Sequence, residues 1–265
     1  MSDRVHRPRK RFGQNFLHNA GIIQRIVRAI DPRAGDQIVE IGPGQGALTG
    51  AILEQIDHLH AVELDRDLIP ALESEFGTRL DIHSADALKF DFCSLISGDH
   101  RLRIIGNLPY NISTPLLFHL MTQRHCIFDM HFMLQKEVVV RMAAGPGSKA
   151  YGRLGIMLQY YCRVERLFTV PPGAFRPPPK VDSAIVRLIP HEQPPVTVQD
   201  EDDLAQLVTQ AFSQRRKTLR NTLKGLLDEA GIRECGIDPG LRPEQLALAD
   251  FAALADRYTS SKSRN

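Results

Sequence analysis

Between Gln37 and about Pro190, short apolar, β-branched runs alternate with stretches whose apolar positions recur at helical spacing. Gln37–Ile41, Leu59–Leu64, Leu80–Ser84, Arg103–Gly106 and Met130–Leu134 read as strands. Several are nearly continuous in apolar residues, the pattern of strands covered on both faces. Helices fill the intervals, and Ser113-Thr114-Pro115 offers one of them a hydroxyl cap and a first-turn proline. Such alternation predicts an α/β fold with a doubly wound, mostly parallel sheet, to which Asp182–Ile189 adds a late edge or hairpin strand. The five prolines between Pro171 and Pro179 exclude regular structure there.

Beyond Pro190 the strand pattern stops. Leu204, Leu207, Val208, Ala211 and Phe212, then Leu219, Leu223, Leu226 and Leu227, follow helical spacing. The reading is a first domain over residues 1–191, with a basic N-terminal arm, and a small helical domain over residues 192–265.

At 265 residues and 43% hydrophobic, the chain can bury one sizeable core and a small appended domain. No apolar run approaches the roughly 20 residues of a membrane span, and no apolar segment follows the basic N-terminus as in a secretory signal. A cytoplasmic monomer with no membrane association is expected. Cys93, Cys126, Cys162 and Cys235 lie far apart without a CxxC pair, so they are expected to be free thiols. The ten histidines show no ligand spacing, so no metal site is expected.

The net charge of +2 is uninformative, but its distribution is not. Arg4, Arg7, Arg9, Lys10 and Arg11 crowd the N-terminus. Arg215, Arg216, Lys217, Arg220 and Lys224 form an acid-free stretch. Two readings stand: a local surface for a polyanion, or a solvated tail and helix face.

Val39-Glu40-Ile41-Gly42-Pro43-Gly44-Gln45-Gly46 reads as a strand entering a glycine-rich turn and then a helix. Gly42 and Gly44 let the backbone turn tightly and approach a ligand beside a helix N-terminus. Glu63, at the end of the second strand, is placed to bind two ribose hydroxyls. These features alone fit NAD, S-adenosylmethionine or a structural turn. Asp86, after the third strand, stands where a cofactor adenine would lie, or caps a helix.

Asn107-Leu108-Pro109-Tyr110 follows the fourth strand. An adenine amino nitrogen is a poor nucleophile because its lone pair is delocalised into the ring. The Asn107 amide oxygen and the Leu108 carbonyl, both accepting from that NH₂, favour a more tetrahedral nitrogen with its lone pair free to attack a methyl. Pro109 fixes the backbone, and Tyr110 offers a ring for base stacking. The main task is positioning with electrostatic help, needing neither a metal nor a strong base. Phe175 is expected to cover the opposite face of the base, the other reading being a core residue.

These motifs carry a resemblance. Arg11–Leu17, Glu40–Thr49, Asn107–Ser113, Met133–Val138, Tyr151–Leu154, Pro177–Ala184 and Phe212–Thr218 together resemble the ribosomal RNA adenine N6-dimethyltransferases, and among them the bacterial small-subunit branch. The likeness runs from about residue 4 to residue 250. It implies a Rossmann-like S-adenosylmethionine-dependent methyltransferase domain with a seven-stranded sheet and a small helical domain that binds RNA. It also implies dimethylation of two adjacent adenines in the 3′-terminal hairpin loop of 16S rRNA during small-subunit biogenesis. Carried over by motif, Asn15 and Leu17 help bind the cofactor, Gly42 lines its methionine end, and Glu63 holds its ribose. Asp86 takes its adenine, and Asn107 sits at the junction with the substrate. Arg215, Arg216, Lys217 and Arg220 then hold RNA phosphates. The competing readings are a large-subunit rRNA dimethylase, a protein acting chiefly as an assembly factor, and an NAD-linked oxidoreductase.

Overall fold

The computed structural model describes residues 14–98, 100–214 and 216–262. Its first elements are β1 (Phe16–Leu17), α1 (Ala20–Ile30), β2 (Ile38–Ile41), α2 (Ala47–Leu53), β3 (Leu59–Glu63), α3 (Ile69–Phe76) and β4 (Leu80–Ser84). Then come β5 (Leu102–Asn107), α4 (Ser113–Thr122), β6 (Ile127–Gln135), α5 (Lys136–Met142), α6 (Arg153–Tyr161) and β7 (Cys162–Val170). The last are β8 (Phe175–Arg176), β9 (Ser183–Pro190), α7 (Glu201–Ala211), α8 (Leu219–Thr222), α9 (Glu229–Glu234) and α10 (Leu248–Lys262).

Seven strands form one sheet in the order β4-β3-β2-β5-β6-β9-β7. The β4-β3-β2-β5-β6 section is parallel, and β9 runs antiparallel to β6. The chain winds outward from β2 to β4, then returns to the other side of β2 with β5. That reversal opens a crevice beyond the carboxyl ends of β2 and β5, where ligands bind in sheets of this kind. Burial explains the apolar runs: Ile38, Val39, Ile41, Ile104 and Ile105 are all in the core.

Two compact units partition the chain, one comprising residues up to Val139 with Glu165–Pro190, the other Val140–Val164 with His191–Asn265. The last crossing falls at Pro190/His191, and Val140–Val164 belongs to the second unit, an excursion the expected split at 191/192 does not contain. In the second unit, α6 lies with α7: the Tyr160 and Tyr161 hydroxyls each donate to Glu201, both at 3.3 Å. Asp200 caps α7 through the amides of Asp202 and Asp203.

Other expectations need correction. β7 was not foreseen: Cys162–Glu165 and Phe168–Val170 alternate apolar and polar, but Arg166 and Leu167 break the period, and the burial is mixed. The stretch Pro171–Pro179 does hold some regular structure, a short 3₁₀ turn over Pro172–Ala174 and then β8, which pairs with β1. Ser113 starts α4 but does not cap it; its hydroxyl donates back to the Tyr110 carbonyl at 3.2 Å. The leucines after Thr218 make only the single turn α8, and Gly225 follows in the left-handed region at φ 98°.

Cys93 and Cys126 are not free thiols but a disulfide, with 5.5 Å between their Cα atoms. Gln123 joins the two segments, since its amide accepts from the Phe92 N–H at 2.7 Å and donates to the Phe90 carbonyl at 3.0 Å. A separation of 33 residues hid that proximity. Cys162 and Cys235 take no part in that disulfide. No helix among the described residues is long and apolar enough to cross a membrane.

Candidate active site

A cavity of about 370 Å³ opens at the crevice, within the usual range of roughly 300–1,000 Å³ for small-molecule sites. Its wall is built from the carboxyl ends of β2, β3, β4 and β5 and from the N-terminal segment. Asn15, Leu17, Gly42, Gly44, Glu63, Asp86, Asn107, Leu108 and Tyr110 all line it. The structure thus gathers every candidate cofactor and amino-group residue, across 95 positions of sequence from Asn15 to Tyr110.

The glycine-rich turn between β2 and α2 needs its glycines. Gly46 caps α2 at φ 79°, and an added Cβ would stand 2.6 Å from the Phe76 ring. Gly42, at φ 67°, meets nothing within 4 Å, so its backbone faces open cavity.

Glu63 ends β3. Its carboxylate accepts from the Asp65 N–H at 2.7 Å and the Gly44 N–H at 3.4 Å. Burial raises the Glu63 pKa, and these two amides oppose the rise. Held this way, Glu63 is pre-oriented to accept from vicinal hydroxyls. Asp86 lines the cavity but caps no helix, since only a turn follows it. One carboxylate oxygen accepts from the Leu88 N–H at 3.0 Å, closing that turn.

Asn107 ends β5. Its Nδ2 donates to the Asn15 carbonyl at 2.9 Å. A carbonyl can only accept, so the contact decides which end of the amide is which. The NH₂ is held by the N-terminal segment, and Oδ1 is the acceptor on the other side. The Leu108 N–H donates to the Met133 carbonyl at 3.2 Å, fixing the next peptide. The Tyr110 hydroxyl lies 2.9 Å from Ser183 Oγ, which holds the ring from β9.

Phe175 differs. It is 2% exposed, packed in the core on β8 opposite Leu17, and is absent from the cavity wall. In this conformation Phe175 is a core residue, because the β1–β8 pairing turns its ring inward, and this corrects the expectation of a base-covering ring. Of the basic residues, Arg216, Lys217 and Arg220 are exposed around the turn into α8. Arg215 and the N-terminal Arg4, Arg7, Arg9, Lys10 and Arg11 lie outside the described residues.

Several lining residues escaped the sequence reading. Gln14 donates from Nε2 to Asp65 at 2.9 Å, tying the N-terminal segment to the loop after β3. Gln14 belongs to the N-terminal motif and Asp65 lies two residues beyond Glu63, so both were within reach. Glu40, buried on β2, accepts from the Thr49 hydroxyl at 2.6 Å. Burial pushes its pKa up from 4.5 to about 7; the Thr49 bond opposes this and the Glu63 charge adds to it. Between those two values the folded protein holds a proton that the unfolded chain has lost, so stability falls as pH rises through that interval. In Glu40→Gln, the loss of melting temperature between about pH 5 and about pH 7.5 is therefore expected to be smaller than in wild type. Equal slopes in thermal melts of the two proteins would contradict it.

Residues 5–260 match the sequence profile of the family described as ribosomal RNA adenine dimethylase. The chain belongs to that family. It is 62% identical to a ribosomal RNA small subunit methyltransferase A of Pseudomonas putida, covering 97% of both chains. It is 60% identical to the protein of that name in Pseudomonas aeruginosa, covering 95% of each. A dimethyladenosine transferase from Plasmodium falciparum superposes with a TM-score of 0.75 at 29% identity, covering 90% of this chain and 95% of that one. The 23S rRNA methyltransferase ErmE shares the fold, with a TM-score of 0.71 at 22% identity over 92% of this chain and all of that one.

This family member is thus a Rossmann-like, S-adenosylmethionine-dependent methyltransferase of ribosomal RNA. The cavity fits that cofactor: an open glycine backbone at Gly42, a pre-oriented carboxylate at Glu63 and a polar turn at Asp86. When bound, S-adenosylmethionine supplies an electrophilic methyl on a sulfonium.

Proposed function

We propose that this protein dimethylates the N6 amino groups of two adjacent adenines in the 3′-terminal hairpin loop of 16S rRNA during small-subunit biogenesis. The observation that carries the chemistry is the Asn107 amide, whose orientation is imposed by the Asn15 carbonyl and which lines the same cavity as Glu63 and Asp86. Asn107 Oδ1 and the Leu108 carbonyl accept from the adenine NH₂ and reshape its nitrogen. Tyr110, braced by Ser183, stacks on the base. No side chain must remove a proton before attack, since the amino nitrogen becomes acidic once it carries the extra methyl.

The names of the small-subunit relatives support the choice of RNA. A loop target agrees with physics, because specific RNA recognition favours unpaired, splayable bases. Extruding one costs a few kcal/mol, and less from a loop than from a duplex. The exposed Arg216, Lys217 and Arg220 suit phosphates, in contacts that weaken with salt.

Labelled cofactor, incubated with undermethylated small subunits, free 16S rRNA and 23S rRNA, tests this reading. Label is expected on two adjacent adenines near the 16S 3′ end. Label confined to 23S rRNA would transfer the assignment to the large subunit. Glu63→Ala separates catalysis from assembly: subunits that mature normally with that variant would make binding the main role.

A further inference from the structure

Away from the cofactor cavity, three histidines and an aspartate meet at the β4 edge of the sheet. β3 and β4 pair with His60 opposite Asp81 and Val62 opposite His83. His60 and His58 are two residues apart, as are Asp81 and His83, so strand alternation brings both pairs to one face. The side chains converge there. His58 Nε2 lies 3.2 Å and His60 Nδ1 3.7 Å from the same oxygen, Asp81 Oδ2. His83 Nε2 lies 3.4 Å from His60 Nδ1. Phe90 flanks the group, its ring centroid 5.3 Å from that of His83.

Among His58, His60 and Asp81 these separations match a coordination shell, their ligand atoms all lying within 4.8 Å of one another. Nitrogen and oxygen ligands at about 2.0–2.2 Å from a tetrahedral ion stand roughly 3.3–3.6 Å from one another. An ordinary ion pair accounts for one imidazole on Asp81, not for two sharing one of its oxygens with a third imidazole set against His60. Two imidazole nitrogens and one carboxylate suit a late first-row divalent ion and not Mg²⁺ or Ca²⁺, which prefer all-oxygen shells. Access is available, with the His58, His60 and Asp81 side chains 42%, 23% and 57% exposed.

We propose that His58, His60 and Asp81 form a Zn²⁺ site that clamps β3 to β4, with water at the fourth position. The two strands run on within three residues to Glu63 and Asp86, so an ion there steadies one wall of the cofactor cavity from outside it. Periodicity could not find this site. Its ligands come from two strands more than twenty residues apart in sequence, and only their register joins them.

Full-length, tag-free protein washed with chelator and kept non-reducing is the material for the test. Leaving the disulfide intact matters, because Cys93 and Cys126 form a second ligand group with His125 that would offer thiolates once reduced. Calorimetric titration with Zn²⁺ is expected to give one ion per chain. Imidazole NMR signals of His58 and His60 should shift together, and the melting temperature should rise. His58→Ala/His60→Ala should weaken binding by about tenfold or more and abolish the thermal gain; Asp81→Asn, a milder change that guards against misfolding, should weaken it in the same direction. His100→Ala should bind as wild type. Absence of saturable one-to-one binding overturns the proposal, as does equal affinity in the double variant and wild type. Unmoved imidazole signals at saturation overturn it too.

Discussion

Asn107→Ala is expected to lower the rate of methyl transfer by about 10²–10³-fold, the usual cost of removing one preorganised hydrogen-bonding group at a reacting centre. The fold should survive. The variant loses one partly buried hydrogen bond, from Nδ2 to the Asn15 carbonyl, worth about 1 kcal/mol and a melting shift of only a few degrees. Asn107→Asp sharpens the experiment. It keeps the volume and an acceptor oxygen but turns a carboxylate toward the Asn15 carbonyl, which can only accept. Its side chain must rotate or the N-terminal segment must move, so Asp should rescue little of the rate. Single-turnover transfer at saturating cofactor is the measurement, with cofactor affinity determined separately because Asn107 also faces the cofactor side of the cavity. An alanine variant within tenfold of wild type would show that the amide does not shape the adenine nitrogen. An aspartate variant at full rate would show that the Asn15 contact does not orient it.

The dependence of Asn107 on Asn15 marks where sequence reading stopped. Apolar periodicity located six strands of the main sheet, since buried parallel strands such as Ile38–Ile41 and Leu102–Asn107 announce themselves by composition. β7 carries Arg163, Glu165 and Arg166 among its apolar residues and gave no such signal. Site residues at strand ends could be placed, because a parallel sheet sends every carboxyl end to one side. What single-sequence patterns do not contain is pairing between distant segments. Examples are the β1–β8 ladder that buries Phe175, the Gln123 contacts that bring Cys93 to Cys126, and the β3–β4 register that gathers the histidines. N-terminal residues 14–17 lie at the same limit: short and weakly periodic, they gain meaning only where Gln14 meets Asp65 and Asn15 meets Asn107.

Asp129→Ala is the second large effect, and it acts on stability. Asp129 is fully buried on β6 between two arginines. Arg103 of β5 donates to it from Nε at 2.9 Å and from a terminal nitrogen at 3.0 Å, and Arg187 of β9 donates at 2.9 Å. Burial alone would raise the Asp129 pKa, but the Arg103 bonds and the charges around it outweigh that and hold it below the usual carboxylate range. His131, 3.9 Å away, adds little charge near neutrality, because its own burial lowers its pKa to about 4. Removing the carboxylate leaves two guanidiniums facing each other without their shared counter-ion. Breaking one member of a buried ion pair costs about 3–5 kcal/mol, here a melting loss on the order of 10 °C. The lower end applies if Arg103 keeps Asp36 at 2.7 Å and the carbonyls of Ile30 and Asp31. Since the folded pKa of Asp129 is depressed, its stabilisation is present above the unfolded value of 3.8 and is lost as pH falls through the folded one. The variant's deficit should therefore shrink in acid. Coupling gives the decisive check. If the three charges act as one unit, Arg103→Met combined with Asp129→Leu and Arg187→Met should cost far less than the single losses added together. Simple additivity would mean that each side chain stabilises the sheet on its own, through packing and not through the shared charge.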